Sequence, residues 1–120
     1  MRYFDLCRTV AYKSFLLYRH GALLRKGKKI LSLGWNCGKT HPRLKEFNHS
    51  SKYLHAEIHA ILGLSFEELH GSTMYVVRLT AAGNLANSRP CVSCIEACRQ
   101  VGISKVVYSM HAGKIGEIIL

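Results

Sequence analysis

The sequence lacks the features that identify membrane and secreted proteins. Its 120 residues contain no apolar run near the roughly 20 residues that a membrane-spanning helix needs. Near the N-terminus, Arg2, Asp5, Arg8 and Lys13 interrupt the apolar residues that a signal peptide would require. No internal repeat, low-complexity tract or Pro/Ser-rich linker is present. These absences predict a soluble, cytoplasmic protein that folds as one domain over residues 1–120.

Acidic residues are scarce, and the shortage lies in the first half of the chain. The sequence has 17 Lys and Arg against 7 Asp and Glu, a formal net charge of +10. Residues 1–54 hold 12 of the cations and 2 of the acids, whereas residues 55–120 hold 5 of each. The densest cationic run is Arg-Lys-Gly-Lys-Lys at residues 25–29. This asymmetry favours a polyanionic or phosphate-bearing ligand, and a solvated basic surface is the alternative.

The chain has five cysteines, an odd number, and no secretory segment accompanies them. Thiols stay reduced in the cytosol, so a close pair there indicates metal binding or catalysis rather than a disulfide. Cys91 and Cys94 form the one CxxC pair. Cys7 and Cys98 fall on the apolar sides of predicted helices, where we expect small core residues.

Hydrophobic periodicity predicts alternating helices and strands. We expect helices over 5–18, 53–64 and 91–101. Strands are predicted over 22–25 and 29–33, which form a hairpin with a basic tip, and over 74–79, 105–109 and 117–120. The segments 34–51 and 80–90 are predicted to be loops. Strands interleaved with helices predict a layered α/β domain with the sheet in the middle. About six residues separate the last two strands, too few for a crossover helix, so these strands should form an antiparallel hairpin.

The chemistry-bearing residues are His55 and Glu57 in one predicted helix and Cys91 and Cys94 at the start of another. One imidazole and two thiolates suit Zn²⁺, and three protein ligands leave a fourth position for water. A helix start also stabilises thiolates through its free N–H groups. Glu57 lies close enough to carry protons without being a ligand.

The segments His55-Ala56-Glu57 and Pro90-Cys91-Val92-Ser93-Cys94 match the H-x-E…P-C-x-x-C signature of zinc-dependent base deaminases. Over about residues 20–120 the chain resembles the cytidine/deoxycytidylate deaminase superfamily, and in particular a small prokaryotic or phage-type member. The resemblance implies an α/β, three-layer cytidine deaminase-like fold with a mixed five-stranded sheet flanked by helices and a terminal antiparallel hairpin. It also implies a single zinc-dependent deaminase domain over residues 1–120.

The resemblance further implies roles for individual residues. His55, Cys91 and Cys94 would bind Zn²⁺, and Glu57 would be the general acid/base that moves protons to and from the base. Substrate contacts would come from Asn36 of Gly34-Trp35-Asn36, the Ala56 backbone N–H and the segment around Arg89, Ser88-Arg89-Pro90. His55 departs from free cytidine deaminases, which usually have Cys as that ligand.

Other residues leave alternatives open. Trp35, Tyr53 and Tyr75 could stack a base, although Tyr75 on a central strand is expected in the core. Cys37 and His41 could contact substrate or be ordinary loop residues. His59 lies four residues after His55 and is expected to be a core or substrate-facing residue rather than a ligand.

The predicted function is hydrolytic conversion of a cytosine base to uracil with release of ammonia. The partner would be a cytosine-containing nucleoside or nucleotide, or single-stranded nucleic acid; the sequence does not separate these, and it predicts no membrane partner. A homo-oligomer is compatible with such a domain. The alternatives are an adenosine-to-inosine deaminase acting on tRNA or another polynucleotide, and a zinc-stabilised binding module without catalysis, against which Glu57 argues.

Overall fold

The computed structural model of the protein describes residues 2–16, 18–37 and 54–120. Most of the predicted loop 34–51 and the first residue of the predicted helix 53–64 lie outside these ranges. Within them, no helix has the length and apolar character required to cross a membrane.

Ten helices and strands make up the described chain. In order they are α1 (Arg2–Ala11), β1 (Arg19–Lys26), β2 (Lys29–Trp35), α2 (Ala56–Ile61), α3 (Phe66–Leu69), β3 (Thr73–Leu79), β4 (Leu85–Ala86), α4 (Val92–Gln100), β5 (Lys105–Ser109) and β6 (Ile115–Ile119), with a 3₁₀ turn at His111–Gly113 before β6.

The strands form one mixed sheet in the order β2-β1-β3-β5-β6, and the two-residue β4 pairs with β3. β3 and β5 are parallel, with α4 as their crossover, and the other pairs are antiparallel. The predicted mixed sheet of five strands is therefore confirmed, as is the terminal antiparallel hairpin of β5 and β6. β4 adds a sixth strand within the predicted loop 80–90, where two residues are too few to show alternation.

Helices cover both faces of the sheet. α2 and α4 pack on one face, where the core includes Ile58, Met74 and Val106. α1 packs on the other face against Leu23 and Val77. Alternate residues of β3 supply the two cores, as expected for a central strand covered on both faces. The structure thus has the predicted three layers.

The two cysteines expected in the core are there. Cys7 and Cys98 are fully buried, one in each core. Burial raises the pKa of the Cys7 thiol to about 12, so this thiol stays protonated. Tyr75 is also buried, and its ring packs edge-on against Phe4. The expectation that Tyr75 is a core residue is confirmed.

The bounds of α1 and α2 differ from the predicted ranges 5–18 and 53–64. α1 ends at Ala11 rather than at 18, because Phe15 and Tyr18 continue the helical spacing but are exposed and gain no burial from a longer helix. α2 runs only from Ala56 to Ile61, and a separate short helix, α3, begins at Phe66 with Ser65 as its N-cap residue. Ser65 and Glu68 form a capping box, a signal present in the sequence that our prediction did not use.

The basic tip of the β1–β2 hairpin is partly committed to internal contacts. Arg25 donates from Nε and Nη2 to the Tyr75 hydroxyl at 3.0 and 2.9 Å. Lys26 Nζ donates to the Glu67 carbonyl at 2.8 Å. Lys28 and Lys29 are exposed. Half of the four cations therefore stabilise the fold, and the other two form a solvent-facing tip.

Gly34 allows α2 to approach β2 closely. A Cβ on Gly34 would lie 2.5 Å from the Ala56 carbonyl oxygen and 2.6 Å from the Ala60 nitrogen. We expect Gly34→Ala to lower the free energy of unfolding by about 1–3 kcal/mol, the usual cost of overpacking, and to reduce activity by displacing α2. Gly63→Ala is the matched control because a Cβ there meets nothing within 4 Å. Urea unfolding of both variants measures the difference, and equal stabilities would contradict this account of the β2–α2 contact.

Candidate active site

Two helix starts bring three metal-ligating side chains together. His55 is the N-cap residue of α2, Cys91 is the N-cap residue of α4, and Cys94 lies in the first turn of α4. The ligand atoms of these residues all lie within 4.8 Å of one another. His55 Nδ1 is 3.2 Å from Cys94 Sγ and 3.8 Å from Cys91 Sγ. Residues separated by 36 positions in sequence thus form one cluster.

This cluster fits a zinc ion. Its donor set is one imidazole and two thiols, which are ligands that Zn²⁺ prefers. Cys94 is buried, His55 is half-buried and Cys91 is exposed, so the cluster has a protected side and an accessible side. Three protein donors with one accessible side are typical of a catalytic zinc site, whereas structural sites have four protein donors.

The protonation of the two thiols favours metal binding. The hydrogen bonds that Cys91 receives from Cys94 and His55 lower the pKa of Cys91 to about 3. The bond that Cys94 donates to Cys91, together with burial, raises the pKa of Cys94. One thiolate is therefore already present beside a second thiol, and the thiolate is the form that ligates metal.

Glu57 lies beside this cluster on α2. It is the one buried carboxyl group among the residues that the structure describes, with 5% of its surface exposed. Burial raises its pKa, which brings a carboxyl group closer to the range in which it both accepts and donates protons. Glu57 thus has the location and the environment of a general acid/base.

A cleft of about 500 Å³ opens over the cluster and Glu57. It lies where β2 and the parallel strands β3 and β5 end, the edge of an α/β sheet at which ligands usually bind. Its lining comes from the loop before β1, the end of β2 and the starts of α2 and α4. The lining residues are Leu16, Tyr18, His20, Asn36, His55, Ala56, Glu57, Ser88, Arg89 and Cys91.

Three of the four residues predicted to bind substrate line this cleft. Asn36 holds the start of β1: its Nδ2 donates to the Tyr18 carbonyl at 2.5 Å, and its Oδ1 accepts from the His20 N–H at 2.9 Å. Ala56 lies between His55, a candidate zinc ligand, and Glu57. Arg89 donates to the Tyr108 hydroxyl at 3.1 Å. Asn36 therefore lines the cleft and also fixes the backbone at Tyr18 and His20, which line it too.

Trp35 occupies a different position. Its ring packs edge-on against His59, with the centroids 4.5 Å apart, and Lys13 Nζ lies 5.0 Å from the indole centroid. Of the described residues, those that line the cleft do not include Trp35. His59 Nδ1 lies 3.0 Å from the Trp35 carbonyl oxygen, and His59 is not one of the three clustered metal-ligating residues.

Cys37, His41 and Tyr53, the other residues suggested to contact the substrate, are not among the described residues that line the cleft. Cys37 pairs with Leu54 in an isolated β-bridge, which joins the two ends of the segment 38–53. His41 and Tyr53 lie within that segment, outside the described residues. The suggestions that they contact or stack on the substrate remain predictions.

Sequence reasoning missed three lining residues, Leu16, Tyr18 and His20, and named Ser88 only as part of the segment Ser88-Arg89-Pro90. The first two were assigned to a longer α1, and their exposure depends on where that helix ends. Ser88 is buried, and its Oγ donates to the Val76 carbonyl at 2.8 Å. This bond ties the segment before Cys91 to the central strand, a role that only the paired strands reveal.

Comparison with known proteins identifies a family. The family model described as "Cytidine and deoxycytidylate deaminase zinc-binding region" matches residues 2–110. A search of curated protein sequences gives no match.

Solved structures of similar fold include a dCMP deaminase from the cyanophage S-TIM5 in its apo form. It is 24% identical with a TM-score of 0.64, and the match covers 93% of this chain and 83% of that chain. A cytidine deaminase from Burkholderia pseudomallei is 18% identical with a TM-score of 0.71, covering 98% and 90% of the two chains. The S-TIM5 enzyme in complex with dCMP and dUMP matches at 24% identity and a TM-score of 0.58, covering 88% and 74%. At these identities the likeness shows the fold, including the mixed sheet flanked by helices.

Proposed function

The chain belongs to the family of the cytidine and deoxycytidylate deaminase zinc-binding region, and from this premise we propose that it is a hydrolytic deaminase converting a cytosine base to uracil with release of ammonia. The active unit is a single domain over residues 1–120, and we expect it in the cytoplasm. The site ligands are His55, Cys91 and Cys94, and Glu57 is the general acid/base.

One observation carries this proposal: three zinc-type donors and a buried carboxyl group converge on one cleft. A site that only stabilised the fold would need neither the cleft nor the carboxyl group. The nearby Glu57 also argues against a binding module without catalysis. Buried carboxyl groups are costly and are retained where their proton chemistry is used.

Each residue of the site has its own role in the proposed reaction. When bound, zinc supplies a water of lowered pKa near 7 as the nucleophile for C4 of the base. Glu57 would take a proton from the attacking water and deliver it to the ring nitrogen N3, which makes C4 more electrophilic. It would then carry the proton of the hydroxyl group added at C4 to the departing amine, which leaves as ammonia. The balanced reaction is cytosine base plus water giving uracil base plus ammonia. The Ala56 N–H contacts the edge of the base, and the cleft walls at Asn36 and Arg89 orient it.

Cytosine is favoured over adenine. The similar structures named above are a cytidine deaminase and a dCMP deaminase, and the latter was solved with dCMP and dUMP. The terminal antiparallel hairpin of β5 and β6 supports the same choice, because it resembles free cytidine deaminases and some bacterial and phage enzymes. No observation favours adenosine in tRNA.

We test the reaction with the zinc-loaded protein and four substrates: cytidine, dCMP, a single-stranded oligonucleotide and tRNA. We expect ammonia release matched by an equal amount of uracil-type product from at least one cytosine substrate. Mass spectrometry identifies the product base, and an enzymatic ammonia assay gives the stoichiometry. Inosine formation in tRNA, with no reaction on any cytosine substrate, would contradict the proposal.

A further inference from the structure

The loop that leads into the cleft carries exposed aromatic side chains. The loop between α1 and β1 presents Tyr12, Phe15 and Tyr18, which are 52%, 102% and 57% exposed. Tyr18 also lines the cleft, as does Leu16, the residue that follows Phe15 in the sequence. Large aromatic side chains clustered on the surface beside a cleft are typical of a binding surface.

Cations accompany these rings. The Arg19 guanidinium lies 5.6 Å from the Tyr12 ring centroid, and that of Arg78 lies 5.0 Å from the Tyr18 centroid. Lys13 lies between Tyr12 and Phe15 in sequence. No Asp or Glu occurs between Asp5 and Glu46, so the loop carries no carboxylate to neutralise this charge. We call Tyr12, Lys13, Phe15, Tyr18 and Arg19 the aromatic rim.

The positive charge continues from the rim toward the cleft. Arg78 is the direct β-sheet neighbour of His20, which lines the cleft. Its Nε is buried and has no hydrogen-bond partner among the described residues. Arg78 takes part in neither of the salt bridges found among the described residues, so its charge contributes to the positive potential beneath Tyr18.

Exposed aromatic rings with interspersed cations are how proteins bind single-stranded nucleic acid: bases stack on the rings, and phosphates meet the cations. A free nucleotide has one base and one phosphate, and the cleft of about 500 Å³ accommodates it without the rim. A base in single-stranded nucleic acid enters an active site together with its neighbours. Leu16 and Tyr18 bring the loop that carries the rim to the edge of the cleft, where those neighbours would enter.

We propose that the aromatic rim binds single-stranded nucleic acid, with bases beside the target cytosine stacked on Phe15 and Tyr18 and phosphates at Lys13 and Arg19. This inference rests on the proposed deaminase function, whose target base occupies the cleft. It assigns the substrate class of the same site as a polynucleotide.

The basic tip of the β1–β2 hairpin is a separate surface. β1 begins at Arg19 beside the cleft and ends at Lys26, so its two ends lie roughly 20 Å apart at the usual rise per residue. Lys28 and Lys29 therefore provide a matched control. Lys28→Gln/Lys29→Gln removes two cations from the tip, and Lys13→Gln/Arg19→Gln removes two from the rim.

The test measures binding of a labelled single strand of about 12 nucleotides with one central cytosine, in DNA and RNA forms, to the zinc-loaded Glu57→Gln protein. In that background we expect Phe15→Leu to raise the Kd about tenfold and Phe15→Trp to preserve it, since Leu lacks a π face for stacking. Lys13→Gln/Arg19→Gln should raise the Kd and flatten its salt dependence, because fewer counterions are released. The tip variant should change neither quantity.

Turnover of dCMP separates this inference from the proposed function. With Glu57 intact, Phe15→Leu should turn over dCMP like the wild type while losing activity on the oligonucleotide. Unchanged oligonucleotide binding in both Phe15→Leu and Lys13→Gln/Arg19→Gln would overturn the inference. An equal loss of binding in the tip variant would also overturn it. So would turnover of dCMP by a wild-type protein that binds no oligonucleotide. Rim-dependent binding without ammonia release from any substrate would overturn the deaminase function and leave the binding surface standing.

Discussion

Glu57→Gln should lower turnover by at least about 10⁴-fold while leaving the zinc content and the fold unchanged. One general acid/base step contributes about 10²–10⁴-fold, and Glu57 is proposed to act at both N3 and the departing amine. Gln has nearly the same shape and fits the buried position without a cavity. The measurement is ammonia release under saturating substrate, together with zinc analysis and circular dichroism.

Glu67→Gln provides the control for this substitution. Glu67 is an exposed carboxylate on α3, outside the cleft lining, so its replacement should leave turnover unchanged. Turnover within tenfold of the wild type in the Glu57→Gln protein would remove Glu57 from the mechanism. Loss of zinc from that protein would instead identify Glu57 as a ligand.

Cys94→Ser should remove zinc and destabilise the protein. Cys94 joins α4 to α2 through the shared metal site, so the free energy of metal binding contributes to folding. With free zinc at about 1,000 times the Kd, this contribution is about 4 kcal/mol, and it is lost with the thiolate. Thermal unfolding with and without a chelator measures it: the chelator should lower the Tm of the wild type and leave that of Cys94→Ser unchanged.

Cys98→Ser is the matched control, since Cys98 is buried one helical turn further along α4 and belongs to the core. It should lose stability through burial of a hydroxyl group but keep its zinc and its sensitivity to the chelator. Full zinc occupancy in Cys94→Ser, or loss of zinc in Cys98→Ser, would contradict the assigned ligand set.

The structure changes which cations of the basic first half of the chain are candidates for binding phosphate. The run at residues 25–29 is the densest in the sequence, and it suggested a phosphate-binding hairpin. In the structure, Arg25 is bound to Tyr75 and Lys26 to the Glu67 carbonyl, and the tip lies at the far end of β1 from the cleft. Arg19, which is isolated in the sequence, directly follows the cleft residue Tyr18, and Lys13 lies over the ring of Trp35, the residue before Asn36.

The sequence by itself determined the zinc-ligand candidates and the order of the main elements. H-x-E and P-C-x-x-C are local patterns that can be read directly from the residues, although only the structure shows that His55 is the N-cap residue of α2. The terminal hairpin was equally predictable, because a connection of about six residues leaves antiparallel pairing as the one option. These features depend on spacing along the chain.

Only the tertiary structure decided which side chains face the cleft. Trp35 and Asn36 are neighbours in sequence, yet Asn36 lines the cleft while Trp35 packs against His59. Tyr18 and Phe15 have helical spacing, but α1 ends at Ala11 and leaves both exposed. The physical reason is that exposure and orientation depend on how α2 and β1 pack on β2 and β3, contacts between residues far apart in the chain that local propensity does not encode.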